Sequence, residues 1–143
     1  MTTPRVDVLL VHGMGRTPLS MWRLARSLRA AGLRTHQFAY TTAWQSVDAI
    51  VERLAARLRE LSGNDYIVIG HSLGGVLLRA AISKLGPDVR LPRRLIMLGS
   101  PNQSPRLARR FSRASWYRLL NGDAGSLLAD QARLARIPVV SVP

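Results

Sequence analysis

One stretch limits the folds open to this chain more than any other: YIVIGHSLGGVLLRAA, Tyr66 to Ala81. An apolar run of strand length ends in a serine set between glycines, and a second apolar run follows without a linker. A strand buried on both faces reads as a continuous apolar run, because it has no solvent side to mark with polar residues. Gly70 and Gly74, two residues either side of Ser72, let a strand and a helix pass close together at a sharp turn. Such a strand needs further strands beside it and helices above and below.

The rest of the chain supplies them. Val6 to Gly13 (VDVLLVHG) reads as a first buried strand, followed by the loop GMGRTPLS. Ser20 is placed to cap a helix MWRLARSLRAA that Gly32 stops, with Trp22, Leu24, Ala25, Leu28 and Ala31 on its inner face. LRTHQFAY is a second strand. Ser46 caps a helix from Val47 to Leu61, with Asp48 in the first turn, where the helix dipole favours an acid. YIVIG is the third strand, Val76 to Leu85 the third helix, RRLIMLGS the fourth strand and IPVVSV the fifth. This alternation predicts one domain over residues 1–143. Its class is α/β, a three-layer sandwich around a mostly parallel sheet of about five strands. In such sheets the working loops lie at the carboxyl ends of the strands. Both glycine-rich stretches, Gly13-Met14-Gly15 and Gly70 to Gly75, fall there.

Composition narrows the chemistry. There is no cysteine, which excludes disulfides and thiolate metal sites, and the three histidines are scattered, so no metal site and no cofactor are expected. No apolar run approaches the roughly 20 residues of a membrane span, and the N-terminus lacks the order of a signal peptide, so a cytoplasmic protein is expected. The net charge is +13, and all but one of the 21 basic residues are arginine, Lys84 being the exception. The alternatives are a nucleic-acid or anionic-membrane partner and a compositional bias. The arginines are spread along the chain without an aromatic-interleaved basic platform, which favours the bias, and no specific nucleic-acid binding is expected.

A serine hydroxyl attacks a carbonyl only when a base takes its proton and the resulting oxyanion is stabilised. A strand–turn–helix puts Ser72 at the tip of the sheet and aims the free N–H groups of a helix start at the site, with the Leu73 N–H as one oxyanion donor. No G-x-G-x-x-G and no G-x-x-x-x-G-K-[ST] is present to support the alternative of a nucleotide-binding turn.

With LLVHGMG followed by IVIGHSLGG, the chain from Val6 to about Ser104 resembles the α/β-hydrolase superfamily, its lipase-like and esterase-like members in particular. The resemblance implies a serine hydrolase of carboxylic or thio esters, acting on a small-molecule or lipid acyl ester. Ser72 would be the nucleophile and the N–H groups of Met14 and Leu73 the oxyanion hole. His12, Gly13, Gly70, His71 and Gly74 would shape the supporting loop and elbow. It leaves open an acyltransferase using the same nucleophile, and a non-catalytic hydrolase-like domain.

The pattern departs from the family in three places. The family's histidine base follows its last strand, whereas His12, His36 and His71 all precede or sit within the elbow, so no base is apparent. The acid is unknown; Asp123 and Asp130 lie in the connection between the fourth and fifth strands, and Asp123 is the one an unusual triad would recruit. The simplest expectation is a fold incomplete at the C-terminus, stopping before both groups. The third departure is Gly99-Ser100-Pro101-Asn102-Gln103-Ser104, where many lipases carry a Thr-Pro-His turn. In residues 102–136, where such enzymes insert a cap or lid, RLARRFSRASWYRLL alternates apolar residues with arginines, as a helix covering a pocket, touching a membrane surface weakly or packing on the sheet would. Tyr40 and Trp44, after the second strand, are candidates for an acyl pocket and equally for packing residues.

Overall fold

The computed structural model describes residues 6–41 and 43–100 in full and 139–142 by their backbone. Five strands form one sheet: β1 (Asp7–Val11), β2 (Arg34–Phe38), β3 (Tyr66–His71), β4 (Leu95–Leu98) and β5 (Val139–Val142), in the order β2-β1-β3-β4-β5. Every neighbouring pair is parallel. The helices are α1 (Trp22–Ala30), α2 (Val47–Leu61) and α3 (Leu73–Ser83). The expected α/β architecture is therefore the observed one.

Two cores show how the strand sequence makes three layers. Side chains of a strand alternate between faces. Leu9 and Val11 of β1 join Val68, Leu95 and Met97 in a core with α2 and α3, whereas Val8 and Leu10 join Ile69, Met21 and Ala25 on the α1 side. Helix α2 buries Ile50, Val51, Leu54, Leu58 and Leu61, the stripe that its spacing predicts, and Ala55 with them. Its N-terminus is capped as expected, Ser46 Oγ accepting from the Ala49 N–H at 3.2 Å.

Three sequence expectations are corrected. Ser20 does not cap α1. Its hydroxyl donates to the Thr17 carbonyl at 2.7 Å within a 3-10 turn, Pro18–Met21, that Pro18 opens, and α1 begins only at Trp22. Trp22 is consequently at the helix start and exposed rather than on its buried face. Helix α3 starts at Leu73, three residues before Val76, because its glycines are needed for close packing rather than for a loop.

The chain leaves β1 for β2 on one side and returns to β3 on the other. The sheet order thus reverses between β1 and β3, and the crevice beyond their carboxyl ends is where such sheets bind ligands.

Candidate active site

Ser72 stands at the junction of β3 and α3 with φ 51° and ψ −119°, the only non-glycine residue of positive φ among those described. This is an unfavourable conformation for a residue with a Cβ, and its surroundings enforce it. The Ser72 N–H donates to the Leu98 carbonyl at 2.9 Å, and the Ser72 carbonyl accepts from the Gly75 N–H at 3.1 Å. The glycines set the close approach. A Cβ at Gly70 would collide with the backbone of Gly74 and Gly75, and one at Gly74 with the carbonyls of Val11 and His12. The first turn of α3 therefore rests directly on the end of β1.

That contact brings the loop after β1 to the serine. A Cβ on Gly13 would stand 3.4 Å from the Ser72 Cβ and 3.0 Å from His71 Nδ1. Half-buried Ser72 makes no side-chain capping bond to α3. Leu73 is the first residue of α3, so its N–H is one of the donors a helix start leaves unused. The Met14 N–H likewise has no hydrogen-bond partner among the described residues. A serine hydroxyl next to a helix start is chemically able to add to a carbonyl, and free N–H groups are the donors that the resulting oxyanion requires.

The loop after β1 is braced from β2. The His12 ring is buried and stacks on Tyr40, centroids 4.3 Å apart and planes 7° apart. The Tyr40 hydroxyl donates to the His12 carbonyl at 2.8 Å, and burial pushes that phenol's pKa up. His12 Nδ1 lies 2.8 Å from the Gly13 carbonyl; a carbonyl only accepts, so Nδ1 carries the proton and Nε2 is a buried acceptor without a partner among the described residues. Burial lowers the His12 pKa, against the opposing Gly13 hydrogen bond. Beside this brace opens a cleft of about 250 Å³ lined by His12, Gly15, Arg16, Tyr40, Thr41 and Ala43. Tyr40 thus both packs on His12 and lines this cleft, whereas Ser72 and exposed Trp44 are not among the lining residues.

The other two histidines are placed differently. His71 is exposed and lies over Gly13, with no hydrogen bond to Ser72 among the described residues. His36 sits at mid-strand, opposite Leu9, and turns towards the far end of the sheet. Its Nδ1 faces Arg57 at 3.0 Å and so accepts, which leaves Nε2 to donate to Asp7 Oδ1 at 2.6 Å. Asp7, the first residue of β1 and almost wholly buried, also takes both prongs of Arg34 at 2.5 and 2.7 Å. The Arg34 hydrogen bonds chiefly, with His36, hold its carboxyl below the usual carboxylate range despite burial. Sequence reading missed this cluster. Its signal was an aspartate inside an apolar strand, unexplained until parallel register set it opposite Arg34. Asp123 and residues 102–136 lie outside the described residues. Among those described, no group of three acids or histidines could hold a metal, and no helix is long and apolar enough to cross a membrane.

Comparison with known proteins agrees with this fold. A model of the alpha/beta hydrolase family matches residues 8–141. Similar solved structures include an extracellular alpha/beta-hydrolase from a Paenibacillus species (TM-score 0.61, 20% identity, 85% of this chain and 52% of that one). Another is the monoacylglycerol lipase of Paleococcus ferrophilus (TM-score 0.55, 22% identity, 76% of this chain and 47% of that one). A protein of Xanthomonas campestris pv. campestris assigned to the alpha/beta superfamily aligns with 96% of this chain and 86% of its own (TM-score 0.60, 16% identity). The chain spans about half the length of the first two. At these identities the likeness shows the fold. No protein of curated function matches the sequence.

Proposed function

The chain belongs to the alpha/beta hydrolase family, and on that premise we propose that it is a serine hydrolase of carboxylic or thio esters acting through Ser72. The observation that carries this reading is the backbone of Ser72. A serine held at φ 51° stands at the turn from a strand into a helix, next to the helix-start N–H of Leu73 and packed against Gly13, the neighbour of Met14, in the loop after β1. Strain of this kind persists only where the surroundings over-determine it, and it gathers at sites of function. In the proposed reaction Ser72 Oγ adds to the acyl carbonyl and its proton passes to a base. The two N–H groups hold the oxyanion, the alcohol or thiol leaves with a proton, and water releases the acyl group from Ser72. The cleft beside His12 and Tyr40 would take part of a small-molecule or lipid acyl ester. The likeness to a monoacylglycerol lipase supports that substrate class. An acyltransferase would share every step but the last, with another acceptor replacing water.

A second reading has its own observation. His12 is bound to Gly13 and stacked on Tyr40, His36 is held by Asp7 and Arg57, and His71 has no hydrogen bond to Ser72 among the described residues. None of the three is placed as the base. A hydrolase-like domain that binds acyl esters without turning them over would look the same here.

A fluorophosphonate probe separates the readings, since it phosphonylates, with loss of fluoride, only a serine activated as a nucleophile. Ser72-dependent labelling, lost in Ser72→Ala, together with turnover of a short-chain p-nitrophenyl ester, supports the hydrolase. Labelling with turnover only about 10³-fold above water is what an oxyanion hole without its base gives. Absence of labelling at Ser72 sinks the hydrolase reading in favour of the non-catalytic one.

A further inference from the structure

The exposed large hydrophobic residues are segregated. Among the described residues they are Met14 (37% exposed), Leu19 (76%), Trp22 (45%) and Trp44 (88%). Singly exposed apolar side chains are ordinary, but all four of these lie at the carboxyl end of the sheet. Met14 and Leu19 are in the segment joining β1 to α1, Trp22 opens α1, and Trp44 is in the loop from β2 to α2. The two connecting loops adjoin, because the cleft is lined jointly by residues of the first (Gly15, Arg16) and the second (Thr41, Ala43).

The charge around these residues has one sign. From Val8 to Val47 the chain has no acidic residue and five arginines. Arg34 is bound to Asp7 at the far end of the sheet. Arg16, Arg23 and Arg26 are exposed, stand beside Met14, Leu19 and Trp22 in the chain, and make no ion pair among the described residues. The Arg26 guanidinium lies over the Trp22 ring at 5.7 Å. Asp48, in the first turn of α2, is the nearest acid in sequence.

We propose that this rim, with Leu19, Trp22 and Trp44 as its apolar points and Arg16, Arg23 and Arg26 as its charges, rests on an anionic lipid surface. Tryptophan suits the boundary between water and acyl chains because its ring is apolar and its N–H polar. Arginines flanking such anchors reach the headgroups while their stems stay on the apolar side. A nucleic acid would use the arginines and stack on the tryptophans, but it offers nothing to Leu19 and Met14. A second copy meeting this one through the same patch would set arginines against arginines with no acid between them. The inference stands apart from the reading of Ser72, although it would turn the Ser72 crevice towards the lipid.

The test uses the whole chain with vesicles of phosphatidylcholine, alone and mixed with phosphatidylglycerol, read by co-sedimentation and tryptophan emission. Binding to the mixed vesicles with a blue shift, weakened by salt and nearly absent with phosphatidylcholine alone, is expected. Arg16→Gln combined with Arg23→Gln should weaken it about thirtyfold, at roughly five- to sixfold per charge removed. Leu19→Ser with Trp44→Ser should abolish the blue shift, and both pairs of changes are on the surface and should leave the far-UV spectrum unchanged. Ser72→Ala should bind as the parent does, so a failed hydrolase reading leaves this result intact. Four outcomes overturn the proposal. They are equal or absent binding to both vesicle types, and binding that the rim variants do not alter, which would point to another arginine-rich stretch of the sequence such as residues 106–120. The others are DNA binding without vesicle binding, and self-association that Leu19→Ser with Trp44→Ser abolishes in a chain that ignores vesicles.

Discussion

The hydroxyl of Tyr40, just after β2, donates a 2.8 Å hydrogen bond to the main-chain carbonyl of His12, just after β1, and the two rings stack. This one residue fixes the loop that carries Gly13 and Met14 and also forms a wall of the neighbouring cleft. Tyr40→Phe keeps the stacking and removes the donor, leaving a buried carbonyl unsatisfied. It should cost about 1–3 kcal/mol in urea unfolding. It should also slow fluorophosphonate labelling of Ser72 more than the lost stability accounts for, because Met14 would no longer be held in place.

Ser72 is strained by its backbone rather than by its hydroxyl. Ser72→Gly should therefore raise the unfolding free energy by about 1 kcal/mol after the extra chain entropy of glycine is subtracted from the relieved strain. Ser72→Ala keeps a Cβ at positive φ and should change stability little. Equal stability of the two variants, compared by chemical denaturation, would show that the conformation is not held under strain.

The elbow glycines should differ in what they tolerate. Gly70→Ala and Gly74→Ala put a methyl group into main-chain atoms that cannot move without parting α3 from β1 and β3, and each should cost about 3 kcal/mol. Gly75→Ala meets instead Ser100, just past β4, whose hydroxyl can rotate away but whose Cβ would stand only 2.8 Å off and moves with its backbone. It should cost about 2 kcal/mol, less than the two that meet main chain directly. Thermal midpoints of the three single variants test the order.

Acid should destabilise the protein in two steps. Burial lowers the His12 pKa, so the unfolded chain takes up a proton that the folded one refuses, and stability falls as pH drops below the ordinary histidine value of 6.5. The Asp7 carboxyl is held down chiefly by Arg34, so its contribution is present above the ordinary value of 3.8 and is lost as pH falls through the lower folded value. His12→Gln should flatten the first step and Asp7→Asn the second, each at the expense of stability at neutral pH. Denaturation midpoints followed across the acid range would show which step each variant removes.

The strand runs, the capped helix at Ser46 and the serine between glycines were legible because each is a local signal. Burial on both faces writes a continuous apolar run, a cap needs its hydroxyl within three residues of the N–H it serves, and a tight crossing excludes side chains. Where a competing local preference existed, the sequence misled: Pro18 turned Ser20 from a helix cap into part of a 3-10 turn and left Trp22 exposed.

By itself, then, the sequence determined the order of the elements, the parallel sheet and the residue that stands at its tip. Only the tertiary structure decided what surrounds that tip and what happens to each charge. Parallel pairing of β1 and β2 set Asp7 opposite Arg34 and within reach of His36, which removed that histidine from any role beside Ser72. The same pairing brought Tyr40 under His12, and the packing of α3 on β1 brought Gly13 to Ser72. These are contacts between residues about 25 to 60 positions apart, fixed by sheet register and helix packing. Their energies depend on distances that no local pattern of residues records.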